Sequence, residues 1–293
     1  MKKTKITFII LQYRIFEETV ECIHSIQKSF KKKNHQIVIV DNGSENGADE
    51  KMKRNFIDDN HIHVLYLKKN EGFSKANNQA CKYAKEQFDP NFYCIINNDT
   101  LITQKNWTKL IEREYKNSKF DVLGPDIINL EGKHSNPLHL NPSKKRITRL
   151  IFENELRHFF NKIYLGNLFE NVLTILKNKV SKNKSIQNEY LFRKENIALH
   201  GSALIFSKKF FDKMQKPFFP EVFLYGEEEI LNYNRILKKL KFVYSPEIKI
   251  LHKEDKTSDL ISKSSRKRNL FKAKNSISSF KVLLKYVKKN PLT

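Results

Sequence analysis

An apolar run meets a cluster of polar side chains at Phe92-Tyr93-Cys94-Ile95-Ile96-Asn97-Asn98-Asp99-Thr100. A segment that is apolar on both faces is typical of a strand buried in a sheet that helices cover. In open α/β sheets, ligands bind beyond the carboxyl ends of the strands, where Asp99 would lie. A carboxylate there suits a divalent cation that also contacts substrate phosphates. The alternative is that Asn-Asp-Thr forms an ordinary turn or helix cap.

The first 120 residues alternate apolar runs with amphipathic helical patterns. Residues 5–11, 36–40, 63–67 and 92–96 predict four strands, and apolar residues recur at helical spacing over residues 17–30. Strands that alternate with helices form parallel sheets with right-handed crossovers. The sequence therefore predicts an α/β fold with a Rossmann-like, mostly parallel sheet flanked by helices.

The remainder of the chain departs from this rhythm and then resumes it. Residues 144–163 combine helical apolar spacing with many cations, which fits either a helix packed on the domain or an interfacial membrane helix. The polar residues 177–188 indicate a linker, and the α/β pattern returns at His200. We expect a domain at 1–258, comprising a nucleotide-binding half (1–120), an acceptor-side helical insertion (121–199) and a catalytic-base half (200–258), followed by a basic amphipathic helical tail (259–293).

The charge is strongly basic. The 293 residues contain 55 Lys and Arg against 32 Asp and Glu, for a formal net charge of +23. Such an excess predicts a polyanionic partner, either nucleic acid or an anionic membrane surface. From Leu260 to Thr293 the chain has ten Lys or Arg and no acidic residue, so the excess is regional.

Cysteine usage and hydropathy predict a cytoplasmic protein. The three cysteines form no Cys-x-x-Cys pair, which fits a reduced compartment without disulfides or a zinc knuckle. The apolar segment Ile6–Leu11 is too short for a signal peptide, and no run of about 18 apolar residues could span a bilayer.

Polar residues also follow the other predicted strands. Asp41, before Asn42-Gly43-Ser44, fits either a tight turn or an acceptor for the hydrogen bonds of a nucleotide base or ribose. Tyr13, in Gln12-Tyr13-Arg14, offers a ring that either packs internally or stacks on a base. The segment Asn70-Glu71-Gly72-Phe73-Ser74 opens a helix, where exposed N–H groups suit a phosphate, unless Ser74 simply caps that helix.

Two further features are candidates for catalysis. The run Glu227-Glu228-Glu229 either complements a helix dipole or supplies a general base whose proton affinity is raised by nearby aromatic side chains. His252 ends an apolar segment and is either structural or a metal ligand. The second role requires that the fold bring it to Asp99.

Together these residues resemble the family 2 glycosyltransferases of the GT-A fold, particularly the rhamnosyltransferase-like bacterial polysaccharide enzymes. The resemblance runs from about Thr4 to Ser258, interrupted over the middle segment. Its elements occur in the family's order: Gln12-Tyr13-Arg14, Val40-Asp41-Asn42-Gly43-Ser44, Asn70-Glu71-Gly72-Phe73-Ser74, Asn97-Asn98-Asp99-Thr100, Gly201-Ser202, Tyr225-Gly226-Glu227-Glu228 and His252.

The resemblance implies a role for each matched position. Asp99 and His252 would hold Mn²⁺ or Mg²⁺, and Glu228 would be the catalytic base, with Glu227 and Glu229 as alternatives one position away. The nucleotide-sugar site would comprise Gln12, Tyr13, Arg14, Asp41, Asn70, Gly72, Phe73, Ser74, Asn77, Asn97, Asn98 and Gly201.

Two positions depart from the family pattern. Asn97 stands where the Asp-x-Asp motif has its first carboxylate, so that the metal's affinity would depend more on the bound nucleotide. Glu228 stands where the family has Asp and is longer by one methylene.

The implied reaction is an inverting sugar transfer from a UDP- or dTDP-linked donor to a glycan acceptor, which we expect to be lipid-linked, in bacterial surface polysaccharide (capsule or O-antigen) synthesis. The basic tail would bind an anionic membrane surface, placing the protein at the cytoplasmic face of the cell membrane. A nucleic-acid-binding protein is the main alternative, but the sequence shows no nucleic-acid-binding motif. A nucleotidyltransferase would need a Gly-rich phosphate loop that the first strand lacks, and a catalytically dead scaffold would not need Asp99, Glu228 and His252.

Overall fold

A computed structural model describes residues 5–30, 35–56, 58–181, 188–254 and 264–292 of the chain. Within them, apolar β-branched and aromatic runs form nine strands of one sheet. The strands are β1 (Ile6–Gln12), β2 (His35–Asp41), β3 (Ile62–Tyr66), β4 (Phe92–Asn97), β5 (Thr100–Leu101), β6 (Val122–Asn129), β7 (Lys194–Glu195), β8 (Ala203–Ser207) and β9 (Phe242–His252).

Helices flank this sheet and fill the segments between its strands. Their inward faces carry apolar residues at helical spacing, such as Cys22, Ile23 and Ile26 in the first helix, all fully buried. The helices are α1 (Phe16–Ser29), α2 (Ala48–Phe56), α3 (Gly72–Phe88), α4 (Trp107–Ser118), α5 (Lys144–Lys162), α6 (Gly166–Ser181), α7 (Phe210–Lys213), α8 (Glu227–Leu237) and α9 (Ser265–Lys289).

The sheet order places a crevice beside β1. The order is β3-β2-β1-β4-β8-β6-β9-β5, with β7 paired to β9, and β1 pairs in parallel with both β2 and β4. The chain winds outward from β1 through β2 and β3, then returns to place β4 on the other side of β1. Such a reversal opens a ligand-binding crevice at the carboxyl ends of the strands. The predicted mixed α/β fold with its parallel half is confirmed.

The structure corrects two predicted boundaries. Residues 122–129, assigned from the sequence to an insertion, form β6 in the centre of the sheet, antiparallel to β8 and parallel to β9. The segment 177–188, assigned to a linker, begins as the end of α6, and residues 182–187 lie outside the described residues. The composition misled because lysine and asparagine are tolerated in an exposed helix.

The basic tail differs from the sequence-based expectation of a segment that binds a membrane surface. Its helix, α9, packs against α5 and α8, and its residues Phe280 and Leu283 are buried in a shared cluster with Ile147 of α5 and Ile230 of α8. The apolar residues Phe280 and Leu283, which the sequence suggested for a membrane, therefore stabilise the domain instead. The packed alternative for residues 144–163 is confirmed at Ile147. Among the described residues, no helix combines the length and apolar character needed to span a membrane.

Candidate active site

The strand ends bring the predicted polar residues to one edge of the sheet. Gln12 at the end of β1 is in register with Asp41 at the end of β2, and Leu11 is in register with Asn97 at the end of β4. Parallel pairing aligns the carboxyl ends of these three strands and thereby brings the polar residues at those ends to one edge of the sheet.

A cavity of about 340 Å³, here called the Tyr13 cavity, opens at this edge. Asn42 and Asn70 form its polar wall, and the amide of Asn42 donates to the Asn70 side-chain oxygen at 3.0 Å. The N–H of Glu71 donates to Asn42 and that of Gly72 to Asn70, so the wall is fixed by its own hydrogen bonds. The lining residues are Leu11, Tyr13, Arg14, Asn42, Asn70, Gly72, Phe73, Phe223, Leu224 and Phe271.

Gly72 permits a close backbone contact at the floor of this cavity. It has a φ of +81°, and a Cβ there would lie 2.4 Å from the carbonyl oxygen of Phe223. The neighbouring Phe73 N–H donates to that oxygen at 2.8 Å. Only glycine fits such an approach in the left-handed region, so the start of α3 is joined directly to the loop before α8.

Besides Asp41, four residues assigned to the nucleotide-sugar site line neither this cavity nor the one described below. Asn98 is buried and its amide donates to the Thr19 hydroxyl at 3.0 Å, and Gln12 also hydrogen-bonds with Thr19. Asn77 donates to the Phe73 carbonyl, and Ser74 is fully buried within α3. Gln12 and Asn98 thus link β1 and the loop after β4 to α1, whereas Asn77 bonds within α3 and the Ser74 hydroxyl has no hydrogen-bond partner among the described residues.

Asp41 lies next to the Tyr13 cavity but does not line it. One carboxylate oxygen accepts from the Ser44 N–H at 2.8 Å, and the other is buried with no hydrogen-bond partner in the part of the chain that the structure describes. Burial raises the pKa of this carboxyl above its usual range, against the opposing hydrogen bonds from Ser44. A buried acceptor without a donor is costly, and a ligand's N–H or O–H would relieve that cost.

Antiparallel pairing brings Asp99 to His252. Thr100 in β5 pairs with His252 at the end of β9, and the Lys253 N–H donates to the Asp99 carbonyl. The Asp99 Oδ1 to His252 Nε2 distance is 3.2 Å, but this approach lacks hydrogen-bond geometry, and Oδ1 has no hydrogen-bond partner among the described residues. Both side chains are buried, at 5% and 8% exposed.

These two side chains fit a shared divalent cation. A carboxylate oxygen and an imidazole nitrogen, both buried and incompletely bonded, are suitable ligands for Mn²⁺ or Mg²⁺. Across the described ranges, no group of three or more His, Cys, Asp and Glu could hold a metal. Asp99 and His252 would therefore leave most of the coordination sphere to water and substrate phosphates.

A second cavity of about 400 Å³, here called the Glu228 cavity, adjoins the first and shares Phe73 and Leu224 with it. The segment His200–Ser202 lies between Glu228 and the metal-ligand candidates. The His200 and His252 rings are 6.1 Å apart, and Asn97 N–H donates to the Ser202 carbonyl. The lining residues are Phe73, Asn97, Leu138, Leu140, His200, Gly201, Ser202, Leu224, Tyr225, Gly226, Glu227, Glu228, Glu229 and Phe280.

The three consecutive glutamates have three different environments. Glu229 forms a bidentate ion pair with Arg146 at 2.7 Å for both contacts and is thereby fixed toward α5. Glu227 is 8% exposed, and one of its oxygens has no partner. Burial, followed by the charge of Glu228, raises the pKa of Glu227 to about 8, so this carboxyl is mostly protonated at neutral pH.

Glu228 is partly buried and lies against Gly201. Its Oε1 accepts from the Gly201 N–H at 3.1 Å, and a Cβ on Gly201 would lie 2.8 Å from the same oxygen. Gly201 therefore leaves room for the carboxylate and donates to it. His200, adjacent in sequence, hydrogen-bonds to Ser202 through Nδ1, and burial lowers its pKa, which keeps the ring neutral.

Sequence reasoning missed several residues that line the cavities. His200 is one, although its position directly before Gly201-Ser202 was a usable signal. Leu138 and Leu140 come from the loop after β6. Phe271 and Phe280 come from α9, and no local pattern distinguishes them from other apolar residues of that helix, because only packing brings them to the site.

Comparison with solved structures shows the same fold in a bacterial protein. Three structures of S. aureus TarS residues 1–349 match with TM-scores of 0.53 to 0.54 and 14% to 15% identity. The form in complex with UDP aligns over 94% of this chain, the form in complex with UDP-GlcNAc over 86%, and a third over 85%. This chain spans only 59% to 64% of the length of those structures.

Comparison with protein families adds a match in sequence. No curated protein matches the chain. The family described as "Glycosyl transferase family 2" matches residues 7–173, which is more than half of the chain and includes Asp41 and Asp99. The chain therefore belongs to glycosyl transferase family 2.

Proposed function

We propose that this protein transfers a sugar from a nucleoside diphosphate sugar to an acceptor hydroxyl with inversion at the anomeric carbon. The observation that carries the proposal is the placement of Glu228 in a cavity that also adjoins the Asp99–His252 pair. A base and a metal site on opposite sides of a reacting carbon are sufficient for a single displacement.

The nucleotide would occupy the Tyr13 cavity. Tyr13 and Phe271 offer aromatic faces for a base, and the unpartnered oxygen of Asp41 offers an acceptor for its N–H or for a ribose hydroxyl. The TarS structures in complex with UDP and UDP-GlcNAc support a uridine nucleotide, with dTDP as the other candidate. Asn70 and Gly72, at the start of α3, would face the diphosphate.

Asp99 and His252 would hold Mn²⁺ or Mg²⁺ against that diphosphate. When bound, the cation would stabilise negative charge on the leaving group. Because Asn97 supplies no charge and the described residues offer only these two ligands, cation and nucleotide should bind cooperatively.

The environments of the three glutamates favour Glu228 as the base. Glu229 is held by Arg146, and Glu227 is buried and mostly protonated, which leaves Glu228 as the glutamate that can reach the cavity and accept a proton. In the reaction Glu228 takes the proton from the acceptor hydroxyl as its oxygen forms the new bond to the anomeric carbon. The bond from that carbon to the diphosphate breaks, and its electron pair leaves with the nucleoside diphosphate.

The acceptor would enter the Glu228 cavity between Leu138, Leu140 and Phe280. We propose a glycan acceptor, lipid-linked and used in bacterial surface polysaccharide synthesis, because the net charge of +23 suits an anionic membrane surface where such acceptors lie.

Thermal unfolding of the full chain with UDP and dTDP, each with and without Mn²⁺, tests the donor site. A ligand at one hundred times its Kd stabilises a native state by about 2.7 kcal/mol. We expect a cation-dependent shift with one nucleotide, reduced in Asp41→Asn and without its metal dependence in Asp99→Ala. The exposed Asp58→Asn is the control. Equal shifts in Asp41→Asn and wild type, or no shift with either nucleotide, would contradict the proposal.

A further inference from the structure

An apolar surface lies on the hairpin formed by α5 and α6, away from both cavities. Eight of the fifteen exposed large apolar side chains among the described residues fall between Phe152 and Ile175. On α6 and the residue before it, Leu165, Leu168, Val172 and Ile175 are 44% to 61% exposed. Their spacing of three, four and three residues places them on one stripe of the helix.

This stripe is separate from the face of α6 that packs on α5. Phe169, about 60° around the helix from Val172, stacks on Phe160 with ring centroids 4.6 Å apart, so the side of α6 that flanks the stripe packs on α5. Phe152 and Phe159 extend the exposed surface along α5, at 58% and 55% exposed. Soluble surfaces rarely expose apolar residues contiguously, so this hairpin face, defined by Phe152, Phe159, Leu165, Leu168, Val172 and Ile175, calls for a partner.

The charge around the hairpin face identifies the partner's chemistry. The acidic residues from 144 to 175 are three, and each pairs with a cation: Glu153 with Arg149 and Arg157, Glu170 with Arg157, and Glu155 with Lys281. Lys162, at the end of α5, and Lys267, at the start of α9, are exposed. The charge that remains toward solvent is therefore positive.

Arg266, a cation at the start of α9, is fixed at the tip of the hairpin. The Arg266 guanidinium donates to the carbonyls of Asn161 and Lys162 and lies 3.8 Å from the Tyr164 ring centroid. The cationic start of α9 is thereby held beside Tyr164, whose side chain is 78% exposed. An apolar stripe with an aromatic tip and a basic rim is the pattern of a helix that lies in the headgroup region of a bilayer.

We infer that the hairpin face binds an anionic lipid surface, with the α6 stripe inserted among the headgroups. This inference rests on the proposed function, which gives membrane binding a purpose. Helix α9 runs from the hairpin face to Phe271 and Phe280, which line the two cavities. The inference assigns the contact to α6, the exposed face of α5 and the start of α9, whereas the sequence pointed to the whole tail and, as one alternative, to residues 144–163. An acceptor carried by a lipid would thereby be presented beside the catalytic residues.

Flotation of the full chain with vesicles tests the inference. Wild type should float with phosphatidylglycerol-containing vesicles and not with phosphatidylcholine alone, and 0.5 M NaCl (about a 4 Å Debye length) should weaken binding. The double variant Leu168→Asp/Ile175→Asp should bind at least about 10-fold more weakly. Its matched control is Leu130→Asp, an exposed leucine in the turn after β6, which should bind as wild type.

Two results would overturn the inference. One is equal vesicle binding by wild type and the double variant. The other is a wild-type dimer in sedimentation velocity that the double variant converts to monomer, which would make a second copy the occupant of the hairpin face. The nucleotide-dependent thermal shift is measured on the same proteins. It should be equal in all of them, so loss of vesicle binding with an intact shift separates this inference from the proposed function.

Discussion

The Tyr13 cavity and the Glu228 cavity share two wall residues but differ in how their polar groups are bonded. In the first, Asn42 and Asn70 bond to each other and to the backbone, so this part of the wall has a fixed shape. In the second, among the described residues, Glu227 keeps a buried oxygen without a hydrogen-bond partner, and Glu228 accepts a hydrogen bond from Gly201.

This difference teaches what each cavity is suited to do. Satisfied polar groups hold a geometry and suit recognition, whereas incompletely bonded carboxylates retain the proton affinity that catalysis uses. Breaking one group in each cavity should therefore affect different quantities, and four substitutions test this.

The largest effect should follow Glu228→Gln. An amide cannot accept the acceptor's proton, so kcat should fall by about 10²- to 10⁴-fold. The Kd for nucleotide, measured by calorimetry, should remain that of wild type, since Glu228 lines only the second cavity. Glu86→Gln on the outer surface of α3 is the control. A Glu228→Gln protein with normal turnover would remove this residue from the base role.

Gly72→Ala should destabilise the whole domain, because the new side chain would clash with the backbone where the start of α3 contacts the loop before α8. The new Cβ would lie 2.4 Å from the Phe223 carbonyl oxygen. Gly47 has a similar φ of +76° with open space around it, so Gly47→Ala should cost only the conformational strain of about 1–2 kcal/mol. We expect Gly72→Ala to cost about 1–3 kcal/mol more in denaturant unfolding. Equal losses of unfolding free energy in Gly72→Ala and Gly47→Ala would show that the loop before α8 moves to accommodate the new Cβ.

Gly201→Ala should affect activity more than stability. The Cβ would meet only the end of the flexible Glu228 side chain, so the free energy of unfolding should change by less than about 1 kcal/mol. The displaced carboxylate should reduce kcat by about 10- to 100-fold. If kcat is unchanged, the contact with Gly201 does not position the base, and the Glu228 cavity tolerates other carboxylate positions.

Glu227→Gln should remove a pH dependence of the free energy of unfolding that Glu227 contributes. Its pKa is about 8 in the folded protein, raised from an ordinary value of 4.5 that applies to the unfolded chain. Between these values the unfolded chain has lost a proton that the folded protein retains, so stability falls as pH rises from about 4.5 to about 8. The slope is at most about 1.4 kcal/mol per pH unit. Unfolding midpoints of Glu227→Gln should lack this component, and an identical profile in wild type would mean that the carboxyl is ionised when folded.

The local sequence determined the parallel half of the sheet and its polar edge. The strands near residues 6–12, 35–41 and 92–97 were predictable because apolar runs alternating with amphipathic helices have few other ways to bury their surface. Parallel pairing then required Asp41 and Asn97 to share an edge. The position of β6 was not predicted. Its apolar run is not followed by a helix and a further strand in close succession, so the alternation that indicates a sheet is absent there.

The tertiary structure decided which polar residue faces which neighbour. Gln12, Ser74 and Asn98 belong to the same motifs as Tyr13, Asn70 and Asn97, yet they are buried beneath the site, since adjacent residues point in different directions from one backbone. The distinction among Glu227, Glu228 and Glu229 likewise depends on Arg146 and Gly201, which are 83 and 27 residues away in sequence.

The sequence by itself determined the family, the sheet edge and the chemical types available there. Only the tertiary structure decided that α9 closes both cavities and that the hairpin face is left exposed. The physical reason is sequence separation: the periodicities of strands and helices are set by a few neighbouring residues, whereas burial and proton affinity depend on side chains that come together only when distant segments pack.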